Sequence, residues 1–170
     1  MPAGANVIFS IGHSNHSWSF FLSLIRARQI EVLADVRFCP YSRFAPVFTK
    51  AVLKKNCRAE RLEYLFLGRE LGGLRREPDV FDGSGRMDRG KVVDSSIFQK
   101  GLDILTDKAA RKMTAVMCAE EDPRRCHRSW LLEPVLRARG FNLVHIRRDG
   151  EPESDGQSTR EDRLLKLFDI

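Results

Sequence analysis

No run in the 170-residue chain is apolar for long enough to cross a bilayer. The N-terminus lacks the basic flank and cleavage pattern of a secretory leader. Neither a P-loop, a G-x-G-x-x-G fingerprint nor a G-x-S-x-G elbow occurs, which removes the common nucleotide-cradle and serine-hydrolase signatures. The four cysteines, Cys39, Cys57, Cys118 and Cys126, do not show the dense spacing of a small secreted scaffold. Reduced thiols in a cytoplasmic protein are the expectation.

At 42% hydrophobic and 31% charged residues, the chain has the composition of one globular α/β domain. The net charge of +6 is concentrated: Lys108 to Arg148 holds ten Lys/Arg against four Asp/Glu, and the remainder is balanced. That stretch is expected either to bind anions or to form a solvated helix face.

Short β-rich runs alternate with helical periodicity. Strands are expected over Val7–Ile11, within "IEVLADVRF", at "LEYLFLG", at "MTAVMCAE" and at "FNLVHI". Ser17 and Thr49 read as helix caps, and Ser95 to Lys108 reads as a helix. This pattern predicts a mainly parallel sheet of about five strands with helices on both faces. The domain would span residues 1–150, with a polar, lid-like insertion at about 72–94. The tail, 151–170, would end in a short helix or a contact with a second copy of the chain.

In such a sheet, ligands bind beyond the carboxyl ends of the strands. His13 and Ser14 follow the first expected strand, and Asp35 and Arg37 end the second. Tyr41, Ser42 and Arg43 lie in the next loop; Cys118 and Glu120 end the fourth strand. Asp122 and Pro123 read as the cap and first residue of a helix, placing Cys126, His127 and Arg128 near its first turn. There a thiolate or a bound anion would be favoured. Pro134 should kink that helix by removing the bond to the Trp130 carbonyl. His16 reads as a surface residue, and Cys118 reads as strand core.

These residues leave three functions open. An enzyme acting on a phosphate-bearing substrate (a nucleotide, a nucleoside or a nucleic-acid end) would use Glu120 and His127 as acid and base. Arg37, Arg43 and Arg128 would hold the anion, with His13, Ser14, Asp35 and Ser42 lining the pocket. Thiol chemistry, by sulfur transfer or redox exchange, would use Cys126 or Cys118. A non-catalytic module would bind nucleic acid through the basic segment. The first is the leading expectation. Cys118, Cys126 and His127 fit no common zinc spacing, so neither a metal nor a cofactor is expected.

The stretches "SIGHSN", "LADVRFCPYSRF", "LGRELGG" and "MCAEEDPRRCHR", followed by "GFNLVHI", resemble in order the prokaryotic family known as domain of unknown function 488. The resemblance covers roughly Val7 to Arg148. It implies that Gly12, His13, Ser14, Asp35, Arg37, Pro40, Ser42, Arg43, Gly72, Gly73, Cys118, Glu120, Cys126, His127 and Arg128 are the motif positions. The layout is more distantly similar to rhodanese-like domains, in which a loop cysteine carries a persulfide. The acids Glu120, Glu121 and Asp122 stand where such a loop would cradle an anion.

Overall fold

The runs Val32–Asp35 and Thr114–Cys118 are buried at every residue, as strands covered on both faces must be. In the computed structural model, which describes residues 6–153, they form the middle of a six-stranded sheet. The strands are β1 (Val7–Gly12), β2 (Val32–Asp35), β3 (Glu63–Phe66), β4 (Thr114–Cys118), β5 (Asn142–Ile146) and β6 (Pro152–Glu153). Their order is β3-β2-β4-β1-β5-β6. All neighbours pair in parallel except β6, a two-residue antiparallel edge against β5. The α/β architecture is the expected one, with one short strand more.

Six α-helices accompany the sheet: α1 (Trp18–Ala27), α2 (Lys50–Ala59), α3 (Gly68–Leu71), α4 (Arg89–Asp94), α5 (Ser96–Ala109) and α6 (Glu133–Ala138). Ser17 caps α1 by accepting from the Phe20 N–H, and Ser95 caps α5 from Phe98. Thr49 stands at the cap of α2 without a side-chain bond. One core packs Phe21, Ile25, Phe48 and Leu53 against one sheet face. The other packs Leu71, Phe98, Leu102, Leu132 and Leu136 against the opposite face, completing three layers.

The 72–94 segment is folded onto the second core. Val80 and Val92 are buried there, and Phe81 pairs with Met87 across a short antiparallel bridge. Its longest continuously exposed run is Asp82–Arg86. The expected terminal helix lies outside the described residues.

The chain after Asp122 differs from the expected helix. Asp122 does cap Pro123–Arg125 by accepting from the Arg124 N–H, but this is a three-residue 3-10 turn. Cys126 is then extended (φ −127°, ψ 149°) and stands directly before the helical run that begins at His127, its carbonyl accepting from Ser129 N–H at 3.1 Å. Arg128–Leu132 forms a π-helical turn, with Glu133 N–H bonding the Arg128 carbonyl, and α6 follows. Pro134 accounts for the widening: it cannot supply the bond to Trp130 that an α-turn requires.

The connection after β1 places α1 on one face, while the connection after β4 leaves for the other. Adjacent parallel strands with opposite departures leave a crevice at their carboxyl ends. Gly12 and Cys118 face each other in register at those ends. The pairing continues outward through His13 N–H to the Cys118 carbonyl and Ser14 N–H to the Ala119 carbonyl, both 2.9 Å. Glycine is required at position 12, where a Cβ would stand 1.9 Å from the Glu120 carbonyl oxygen.

Candidate active site: two cysteines and a histidine at the strand ends

The crevice holds a cavity of about 270 Å³. The ends of β1 and β4 supply His13 and Cys118, the segment after β2 supplies Arg37, Phe38 and Cys39, and His127 closes the far side. Tyr41, Ser42, Gly73, Leu74 and Ala119 complete the lining. The π-turn and Gly73 together position His127: a Cβ at Gly73 would lie 2.9 Å from its ring.

One wall is a fixed polar clamp. Asp35, wholly buried, accepts Arg37 N–H at 3.1 Å, Arg37 Nε–H at 2.8 Å and Arg37 Nη2–H at 2.6 Å. The Tyr64 hydroxyl donates to it at 2.7 Å. Arg37 also donates to the Phe48 carbonyl and, at 3.0 Å, to His13 Nε2. His13 therefore carries its proton on Nδ1, which donates to the Ser14 carbonyl at 2.8 Å. Burial, with Arg37 adding to it, lowers the His13 pKa to about 4, and its ring stacks on Phe48 at 4.4 Å. Both ring nitrogens are committed, so His13 positions Arg37 and shuttles no proton.

The clamp leads to two predictions. Asp35→Ala should lower the unfolding free energy by about 3–5 kcal/mol by leaving a buried guanidinium uncompensated. Denaturant titration checks this, and adding Arg37→Met should recover much of the loss. The second concerns acid. The folded His13 pKa lies below the unfolded value of 6.5, so its stabilisation is complete above 6.5 and declines as pH falls toward 4. His13→Gln should flatten the stability profile across that window in thermal melts.

The opposite wall carries Cys118, with Cys126 buried behind it. Cys118 Sγ and Cys126 Sγ lie 4.0 and 3.6 Å from His127 Nδ1, and all three atoms fall within 4.8 Å of one another. Arg128 Nε–H donates to Cys126 Sγ at 3.2 Å. Its other bonds go to Ser10 Oγ and the Glu120 carbonyl, so no carboxylate takes part in them. Arg128 is 1% exposed and needs an anion nearby. Cys126 supplies one. Hydrogen bonding from the Cys118 thiol, then from His127, and the Arg128 charge hold Cys126 well below the ordinary thiol range. Cys118, donating to that thiolate and buried, is pushed up.

Two sulfurs and an imidazole are also a donor set for a thiophilic cation such as zinc. The separation of nine positions between Cys118 and His127 hid this arrangement from spacing rules, because the chain doubles back through the 3-10 turn. The guanidinium on Cys126 already fills the role of counter-charge and disfavours a second cation there.

The other expected site residues scatter. Arg128 is buried beneath the site and does not line the cavity. Glu120 is exposed and lies outside that lining too. Arg43 is exposed, its guanidinium 5.0 Å from the Phe44 ring centroid. Ser42 lines the cavity while its hydroxyl accepts from Ala45 N–H. Ser14 borders a separate hollow with Glu121 and Arg147. His16, expected at the surface, is buried at 8% exposure and packs edge-on against Phe20. Cys118 ends its strand at the cavity wall as well as closing the core.

Sequence reading missed Phe38, Cys39, Gly73 and Leu74 as cavity residues. For Cys39 a signal existed, since it directly follows the "DVRF" strand end.

The family model for domain of unknown function DUF488 matches residues 17–135. The chain belongs to the DUF488 family. The match takes in every cavity residue except His13, which lies before its first residue. No curated protein and no solved structure matches this DUF488 chain. Among the described residues no helix is long and apolar enough to cross a membrane.

Proposed function

We propose that this DUF488 protein performs thiol–disulfide exchange with Cys118 and Cys126 as its redox pair. The observation that carries the reading is the grouping of both Sγ atoms and His127 Nδ1 within 4.8 Å at a cavity wall. Support also comes from the guanidinium on Cys126 Sγ, which favours the thiolate.

The cavity-facing Cys118 sulfur attacks one sulfur of a substrate disulfide, RS–SR′, as its proton passes to the Cys126 thiolate. R′S⁻ leaves and a Cys118–S–SR mixed disulfide forms. The Cys126 proton then moves to R′S⁻, directly or through His127. Cys126 attacks the Cys118 sulfur and releases RS⁻. The substrate disulfide gains two electrons, the protein dithiol becomes a disulfide, and the products are R′SH and RS⁻. An external dithiol returns the protein to its starting state.

Acid–base chemistry at a phosphate keeps Arg37 and His127 at the cavity but loses its carboxylate, because Glu120 is exposed outside the lining, whereas Cys118 is in it. The test is turnover of a small aromatic disulfide with dithiothreitol as reductant. Wild type is expected to exceed the uncatalysed rate and Cys118→Ser to abolish the excess. Equal rates for the two proteins would refute the proposal.

A further inference from the structure

A second, larger hollow of about 780 Å³ adjoins the thiol cavity, and Phe38 and Cys39 line both. Four cations border it: Lys50, Arg69, Arg76 and Lys100. Lys50 Nζ lies 3.5 Å from the Phe66 ring centroid, and the Arg76 guanidinium lies 5.0 Å from that of Phe38. Among the described residues none of the four makes an ion pair. Of the two bordering acids, Glu77 is bound to Arg75, which leaves the four cations in excess over Glu70. Glu70 has one buried carboxylate oxygen, Oε2, without a hydrogen-bond partner.

All four cations lie outside the basic Lys108–Arg148 segment. Much of that segment is neutralised by acids: Lys108 and Lys112 pair with Glu63, Arg124 with Asp122, Arg137 with Glu133, Arg139 with Asp103, and Arg147 with Glu121. The charge beside Cys39 is thus unpaired, and it borders the hollow that adjoins the thiol cavity.

We infer that the groove binds the acidic part of a small, multiply charged anionic substrate whose sulfur reaches Cys118 through the shared opening. This rests on the exchange reading above. Carboxylates or phosphates would meet Arg69, Arg76 and Lys100 in a pocket with apolar walls, where such contacts are stronger than in water. A hydroxyl or ammonium on the same molecule would satisfy Glu70. Lys50 and Arg76, seated over aromatic faces, define the floor against which a flat group can lie.

Cys39, exposed and shared by both hollows, reports occupancy independently of Cys118. Inorganic pyrophosphate should slow Cys39 alkylation by iodoacetamide about tenfold relative to potassium chloride at matched ionic strength. The Arg76→Glu/Lys100→Glu variant should lose that protection. Protection absent in wild type, or unchanged in the variant, overturns the groove as an anion site. The substrate claim is read separately: the rate at which Cys118 reacts with dithiobis-nitrobenzoate, a dianionic disulfide, relative to its rate with dicationic cystamine should fall at least about tenfold on charge reversal, a comparison in which the difference between the leaving groups cancels. A rate ratio unchanged by charge reversal overturns the coupling of groove to thiol. If neither disulfide reacts while pyrophosphate still protects Cys39, the anion site stands and the exchange reading falls.

Discussion

Replacing Arg128 by leucine is expected to raise the pKa of Cys126 and move its ionisation upward by about 1–3 pH units, the scale of a nearby opposite charge. Arg128 Nε–H is 3.2 Å from Cys126 Sγ, and the guanidinium is buried with no carboxylate among its hydrogen-bond partners. The measurement is thiolate ultraviolet absorbance against pH in a Cys39→Ser background. There the assignment is clean: burial pushes Cys57 up to about 12, and Cys118 is raised as well. Absorbance that persists below neutral pH then belongs to Cys126.

The sign for stability follows from the same shift. A group ionised more easily in the folded protein stabilises it fully above the unfolded thiol pKa of about 8.5, and this contribution declines as pH falls. The Arg128→Leu profile should be flatter across that range. Since leucine removes three hydrogen bonds, Arg128→Lys is the companion variant: it keeps a charge without the Nε–H geometry and should give a smaller shift. A thiolate titration unmoved in both folded variants would show that the guanidinium does not hold Cys126.

The second large effect separates the two cysteines. Cys126→Ser should leave a long-lived mixed disulfide on Cys118, because nothing remains to attack it. It should also slow formation of that species by about 10²-fold, through loss of the base that takes the Cys118 proton. Cys118→Ser should form no mixed disulfide at the cavity and release no substrate thiol beyond background. Intact-mass spectrometry after brief exposure to a small aromatic disulfide distinguishes the cases. A mixed disulfide on Cys126 in the Cys118→Ser protein would reverse the assigned order of attack.

The sheet was legible because its central strands carry unbroken apolar runs, "VLA" in β2 and "AVMC" in β4, with the polar Asp35 at the carboxyl end of β2. Their alternation with helices then implies parallel pairing, and the site lies at the strand ends for the same reason. The geometry after Asp122 was not legible. Asp122-Pro123 has the chemistry of a helix start, yet the turn closes after three residues, and Pro134 imposes a widened turn downstream. That places Arg128 beneath the sulfurs instead of beside a substrate. The basic segment misled for a related reason: net charge along a chain does not reveal that Glu63 and Asp103 meet Lys108, Lys112 and Arg139 in space. The approach of Gly73 to the His127 ring, which helps set the imidazole against the thiols, joins two motifs that no periodicity connects.

The most direct test of the central claim is a redox titration of the folded protein in glutathione buffers, quenched with acid and mapped by mass spectrometry. The account predicts one reversible disulfide, between Cys118 and Cys126, forming and disappearing with the glutathione ratio while Cys57 stays reduced. If no Cys118–Cys126 disulfide forms at any ratio, and both thiols become modifiable only when the protein unfolds, the pair is structural and the proposed exchange chemistry is wrong.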